Sequence, residues 1–139
     1  MSENLDLVRS IFADWERGDW FGPLMRSRAH PEIEFVRVGE GPDTGVGGRG
    51  SWIGPDKAMR SWSDYLSAWE ALGITADEYR ELDGERLLVL TRIRGKGKTS
   101  GLQVNHATAV LFQMREDKVK QLAIYWDRDQ ALADLSLKE

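Results

Sequence analysis

The feature that most constrains the fold of this sequence is a set of segments in its second half in which apolar and polar residues alternate. Short turn-forming stretches separate them, and Asp83-Gly84 is a strong hairpin signal. Each segment alternates apolar and polar side chains with the period of two that is typical of β-strands. The order predicts a four-stranded antiparallel meander, over residues 74–82, 86–94, 102–114 and 119–126.

The first part of the sequence has the spacing of helices instead. Residues 3–17 place apolar side chains on one face, and Gly18 stands where a helix commonly ends. Asp19 is expected to cap a short second helix, and residues 33–38 alternate as a short strand does. The chain is therefore predicted to begin with two helices and one strand.

A third helix is predicted from Pro55, since proline is favoured in the first turn of a helix. Aromatic residues recur along it at helical spacing as far as Gly73. A short helix over residues 128–135 follows the meander. Helices packed on one face of an antiparallel sheet define the α+β class, so we expect one domain over residues 1–139, in which a curved sheet and helices enclose an apolar pocket.

Composition and charge argue against several classes of function. A net charge of −4 is unfavourable for nucleic-acid binding, which usually needs a basic face. The absence of cysteine excludes disulfides and thiolate metal sites. His30 and His106 have no carboxylate at ligand spacing, so we expect neither a metal nor a cofactor. Because no segment has the pattern of a signal peptide or a membrane span, a cytoplasmic protein without membrane contact is expected.

Alternation also sorts the meander residues by face. The bulkier apolar side chains share one parity, and the residues of that parity are expected to face the helices. They are Leu87, Val89, Thr91, Ile93, Val104, His106, Thr108, Val110, Phe112, Met114, Leu122, Ile124 and Trp126. The opposite face mixes apolar and charged side chains, which is more typical of a subunit interface than of bare surface. We therefore expect a homodimer formed through this outer face, which carries Leu88, Leu90, Arg92, Arg94, Leu111 and Tyr125.

Six tryptophans are many for a chain of 139 residues. A domain of this size has little room for so many rings in one solid core. Some are therefore expected to line a pocket that binds a small apolar or aromatic ligand by stacking and burial. The alternative is that the rings simply fill the core. The predicted pocket residues are Phe12, Trp15, Trp52, Trp62, Tyr65, Thr108, Val110, Phe112 and Trp126.

His106 and Glu34 are the candidate catalytic residues. His106 has the inward parity, and because histidine titrates near neutrality it suits a general base or a ligand-orienting group. The alternative is a structural histidine bonded to the backbone or to Tyr65. Glu34 lies on the short first strand, where Arg37 competes with it for the inward position.

A glycine-rich segment covers residues 39–50. Its last six residues match the G-x-G-x-x-G spacing of dinucleotide-binding loops. No helix opens on the last glycine, however, and the chain is not built of βαβ units. We interpret the segment as a loop over the mouth of the pocket.

The layout resembles the nuclear transport factor 2-like superfamily, and within it the SnoaL-like (polyketide-cyclase-like) group. The resemblance covers essentially the whole chain and implies a cone-shaped α+β half-barrel with an internal pocket, usually dimeric. Near the C-terminus, residues 125–132 resemble the Y-x-D-R-x-x-A-L motif that is typical of that group. The matching segments are FADWERGD at residues 12–19, HPEIEF at 30–35, WIG at 52–54, RIRG at 92–95 running on to Ser100-Gly101, and YWDRDQAL at 125–132.

The resemblance implies several activities, which the residues of this chain limit. The oxyanion-hole positions of the ketosteroid isomerases fall near Ile11 and Phe12 and on Val110, none of which donates a hydrogen bond. The paired Arg92 and Arg94 lack the intervening acid of the limonene epoxide hydrolases. We therefore expect a pocket protein for a small apolar molecule, either a cofactor-independent isomerase, cyclase or dehydratase, or a non-catalytic ligand-binding, dimerisation or protein-interaction module.

Overall fold

The computed structural model describes residues 3–38, 49–67, 69–98 and 101–135 of the chain. Within these ranges the chain forms one curved sheet of six strands with four helices. In chain order the elements are α1 (Glu3–Glu16), α2 (Pro23–Arg28), β1 (Ala29–Val38), β2 (Arg49–Ile53), α3 (Pro55–Ser67), β3 (Trp69–Glu81), β4 (Arg86–Gly97), β5 (Gln103–Arg115), β6 (Lys118–Tyr125) and α4 (Arg128–Asp134).

The sheet confirms the predicted α+β class and the four-stranded meander. Strands β3 to β6 pair in sequence as antiparallel neighbours, and the full order is β2-β1-β6-β5-β4-β3. Strand β1 joins the far edge of β6 in parallel. The chain can return this way because α3 and the meander lie between the two strands in sequence, which gives the long crossover that a parallel pair requires.

Strand β2 is the element that the sequence prediction missed. It pairs antiparallel with β1, with Phe35 opposite Trp52 and Arg37 opposite Gly50. Its sequence, RGSWI, contains few residues of high β propensity and follows a glycine-rich segment. Pairing with β1 rather than local preference makes it a strand. The rest of the segment interpreted as a loop over the pocket, residues 39–48, lies outside the described residues.

The third helix is shorter than predicted. It ends at Ser67, and the residues from Trp69 onward, including Leu72 and Gly73, belong to β3. Helical spacing of the rings continued past the true end because Tyr65 and Trp69 bury their rings on the same side, with ring centroids 6.1 Å apart. The long pairing of β3 with β4 outweighs that local periodicity.

The other helices match their predicted positions, apart from one cap. Gly22, not Asp19, occupies the N-cap of α2, and the helix starts on Pro23. Asp127 caps α4, its side chain accepting a hydrogen bond from the Asp129 N–H at 3.0 Å. None of the helices in the described ranges has both the length and the apolar character needed to cross a bilayer.

The inner face of the sheet and the apolar faces of α1 and α3 form the main core. The predicted inward set is confirmed, since its apolar members either belong to this core or pack against it. The helices contribute their periodic apolar residues, as the spacing predicted. The core residues from the helices are Val8, Ile11, Phe12, Trp15, Met25, Ala58, Trp62 and Tyr65.

The outer face carries a second apolar cluster, and α4 covers it. Leu88, Leu111 and Tyr125 point outward as predicted, yet they are buried against Ala131 and Leu132 of α4. The apolar side chains that suggested a subunit interface therefore have partners within one chain, because the last helix folds back over the sheet. Self-association through the rest of the outer face stays a prediction.

A pair of buried hydroxyls on the inner face provides a test of this register. Thr91 and Thr108 are cross-strand partners, both fully buried, and their Oγ1 atoms are 2.6 Å apart. Replacing Thr91 with valine should lower the free energy of unfolding by about 1–3 kcal/mol, since it leaves the Thr108 hydroxyl buried without this partner. Urea unfolding of the two single variants and the double valine variant measures the effect.

The double variant is the control for the threonine pair. It removes both polar groups together, so it should cost less than the sum of the single changes. Additive costs in the double variant would mean that the two hydroxyls do not bond to each other.

Candidate small-molecule site

Seven of the nine predicted pocket residues are buried, and several of them form a filled core. The rings of Phe12, Trp15 and Phe112 pack together, with centroids 4.9 to 5.9 Å apart. A side chain that lines a cavity large enough for water keeps accessible surface, but Phe12, Phe112, Val110 and Thr108 have 0% exposed surface. In this structure these four residues have no accessible surface with which to line a pocket, because their neighbours occupy the space around them.

The remaining aromatic residues form a continuous row toward one end of the inner face. Trp62 stacks on Tyr65 at 5.2 Å, and the row continues through Trp69 to Trp126. Trp126 is only half-buried, as is Trp52, whose ring lies 6.0 Å from that of Phe35. At this end of the sheet Trp126 and Trp52 therefore keep some accessible surface, whereas Trp62, Tyr65 and Trp69 are buried.

His106 lies at the same end, on the inner face, as its parity predicted. It is the cross-strand partner of Ile93, and its ring stacks on that of Trp126 with centroids 4.5 Å apart. Within the described residues its Nε2 atom is buried and has no hydrogen-bond partner. Among the described residues, Tyr65 therefore forms no hydrogen bond with His106 Nε2.

The structure resolves the competition between Glu34 and Arg37 in favour of Arg37. Arg37 points inward, with its guanidinium carbon 4.8 Å from the Trp52 ring centroid and 5.2 Å from that of Tyr65. Glu34 points outward, where it accepts hydrogen bonds from Ser51 Oγ at 2.5 Å and Gln121 Nε2 at 2.9 Å.

The two predicted catalytic residues are therefore not brought together. His106 and Glu34 lie on opposite faces of the sheet, so a shared site for them is excluded. The sequence did not settle this, because apolar residues stand at both parities of β1. Ile33 and Phe35 enter the main core, whereas Val36 and Val38 enter the outer cluster. The functional candidate that the sequence reasoning left undecided is Arg37.

Burial changes the acid–base properties of this site. It raises the pKa of Tyr65 to about 12, although the nearby Arg37 cation acts in the opposite direction. Burial also lowers the pKa of Arg37, against the opposing effects of Tyr65 and Asp64. In both cases the largest cause is burial, which disfavours the charged form of the side chain.

Three cavities lie elsewhere on the described part of the chain. One of about 240 Å³ opens between α2, β1 and α3, beside Met25 and Met59. Two more open cavities, of about 460 and 710 Å³, lie beside Glu34 and Arg94 respectively. None of these three is lined by a predicted aromatic pocket residue. Within the described ranges, no group of three histidine or carboxylate side chains is placed to hold a metal ion.

The chain is therefore an α+β protein in which a curved six-stranded sheet wraps on helices, with aromatic rings along the inner face of the sheet. The chain has the fold of the nuclear transport factor 2-like superfamily, as the resemblance implied. The sequence matches no protein-family model, and no curated protein is a significant match for it.

Several solved structures are similar to this chain. A nuclear transport factor 2-like protein of unknown function from Burkholderia pseudomallei is 20% identical, with a TM-score of 0.74 over 96% of this chain and 97% of that one. A SnoaL-like protein from Jannaschia is 15% identical, with a TM-score of 0.73 over 98% and 93%. TerC, co-crystallised with polyporic acid, is 18% identical, with a TM-score of 0.71 over 96% and 98%. At these identities the likeness shows the fold.

Proposed function

We propose that this chain binds a small, largely apolar aromatic molecule at the end of the inner face where Trp52, Tyr65 and Trp126 lie. His106 provides the polar contact that orients the ligand. The observation that carries the proposal is the buried Nε2 atom of His106, which has no partner within the described residues.

An unpaired buried polar atom needs an explanation. Nearly all buried polar groups in proteins are hydrogen-bonded, and leaving one unpaired costs about 1–3 kcal/mol. The face of the His106 ring is already stacked on Trp126, so a ligand would approach Nε2 along the ring edge. Trp126 and Trp52 are half-buried, so part of each ring remains accessible beside the His106 and Arg37 side chains that cover one face of each. The co-crystallisation of TerC with polyporic acid agrees with ligand binding by this fold.

This geometry supports ligand binding better than it supports catalysis. Only one of the two predicted catalytic residues, His106, lies on the inner face. An isomerase, cyclase or dehydratase built on this site would therefore use His106 alone, among the predicted residues, to move a proton. The alternative, a non-catalytic module whose rings are all filled core, predicts that no ligand enters at all.

The neutral flat probe naphthamide tests this proposal. Wild-type protein should bind it in isothermal titration calorimetry, and His106→Phe should weaken binding by roughly three- to tenfold, the effect of losing one neutral hydrogen bond. Phenylalanine keeps a ring to stack on Trp126. The matched control is His30→Phe on β1, where His30 Nδ1 accepts a hydrogen bond from the Glu32 N–H. Absence of binding to the wild type, or equal binding by His106→Phe, would contradict the proposal.

A further inference from the structure

Arg37 is a half-buried cation held among aromatic rings. Its guanidinium group contacts the faces of Trp52 and Tyr65, and within the described residues it forms no ion pair. Its Nε atom is buried and has no hydrogen-bond partner there. Burying a charge even partly is unfavourable unless it is paired and hydrogen-bonded. Among the described residues, Asp64 acts on Arg37 only at a distance and forms no ion pair with it.

The arrangement around Arg37 depends on the absence of a side chain opposite it. Gly50 is the cross-strand partner of Arg37, and Trp52 lies two residues further along β2. A Cβ atom on Gly50 would meet the Trp52 ring at 2.5 Å from Cη2. Glycine at this position therefore leaves room for the Trp52 ring to fold back along the strand, toward the Arg37 guanidinium.

Arg37 lies on β1, and Trp126 directly follows the neighbouring strand β6. Arg37 pairs with Ile124, and Trp126 is two residues further along, its N–H donating to the Val38 carbonyl at 2.9 Å. A molecule held at Arg37 can therefore extend along Trp126 toward His106. The same site would provide a cation at one end and ring faces beside it.

We infer that the ligand of this site is a planar aromatic carboxylate, whose carboxylate group is bound by Arg37 while its ring stacks on the neighbouring aromatic residues. A guanidinium group matches a carboxylate with two parallel N–H···O bonds, and its flat faces remain free to stack on rings. A cationic ligand is disfavoured, because Arg37 already occupies the ring faces of Trp52 and Tyr65. A neutral ligand would leave the half-buried cation without an ion-pair partner among the described residues.

This inference rests on the proposed function, and a pair of matched probes separates the two. Naphthoate and naphthamide have the same ring and differ in charge. Wild-type protein should bind naphthoate about ten- to a hundredfold more tightly than naphthamide in calorimetric titration, as expected for charge-assisted hydrogen bonds. Arg37→Met should abolish this preference, so that the variant binds naphthoate and naphthamide with affinities within about threefold of each other, since methionine keeps an apolar side chain between the rings but carries no charge.

Two further variants control for charge and folding. Arg94→Met makes the same change on the outer face and should keep the preference for naphthoate. Arg37→Lys keeps the charge without the planar fork and should retain only part of it. Thermal unfolding of each variant confirms that it is folded.

The outcomes are distinguishable. If neither probe binds the wild type, both the proposed function and this inference fail. If naphthamide binds as tightly as naphthoate, or if folded Arg37→Met keeps the preference, the inference alone fails and the proposed function stands.

Discussion

Replacing Phe112 with alanine should lower the free energy of unfolding by about 3–5 kcal/mol, the largest stability loss that we expect from a single change in this chain. Phe112 is fully buried, and its ring contacts those of Phe12 and Trp15 at 5.9 Å. Two helix residues and a central strand hold it on several sides, so the cavity left by alanine cannot close easily. Chemical denaturation of the two proteins measures the difference.

The same experiment distinguishes a filled core from a pocket wall. A ring that lined an open pocket would lose fewer contacts, and its removal would cost far less. Phe21→Ala is the matched control, because Phe21 is only half-buried beside the main core. We expect it to cost clearly less than Phe112→Ala. Equal losses, or a loss below about 1 kcal/mol for Phe112→Ala, would contradict the filled core and restore Phe112 as a pocket residue.

Alkaline pH should destabilise this protein through Tyr65. Its pKa is about 12 in the folded chain, compared with an ordinary value of 10.0. Between these values the unfolded chain loses the Tyr65 proton while the folded chain keeps it, so stability is full below pH 10 and falls as the pH rises through 12. The loss should reach about 2 kcal/mol near the upper end of this range.

A phenylalanine variant isolates the contribution of Tyr65. Tyr65→Phe removes the ionisable group, so urea unfolding across this pH range should show a flatter decline than in the wild type. It should also remove a step near pH 12 from the ultraviolet titration of tyrosinate. Tyr79→Phe is the control; burial raises the pKa of Tyr79 as well, but its side chain is only half-buried. If Tyr79→Phe flattened the decline and Tyr65→Phe did not, the result would contradict the raised pKa that we assign to the buried Tyr65.

The meander and its two faces could be predicted because strand alternation is a local property. Once Asp83-Gly84 and the later turns set the strand lengths, parity alone placed His106, Thr108 and Phe112 on the inner face. Parity could not predict which of these residues would be packed tightly. Phe112 is enclosed by rings from α1, whereas His106 lies near the half-buried Trp126, and those neighbours come from distant parts of the sequence.

The first strand shows where local reasoning stops. Both parities of β1 carry apolar residues, because both faces of the sheet are covered, one by α1 and α3 and the other by α4. The pattern could therefore not choose between Glu34 and Arg37. The outer face is apolar partly because α4 of the same chain packs on it, and self-association through the rest of that face stays a prediction.

By itself, the sequence determined the α+β class, the antiparallel meander, the inward direction of His106 and the clustering of rings on the inner face, because propensity, turn residues and periodicity act over a few neighbouring residues. Only the tertiary structure decided which rings fill the core and which stay accessible, that Trp69 begins a strand, and that Arg37 faces inward between Trp52 and Tyr65. These outcomes depend on strand pairing and helix packing between segments far apart in the chain, and no local pattern encodes them.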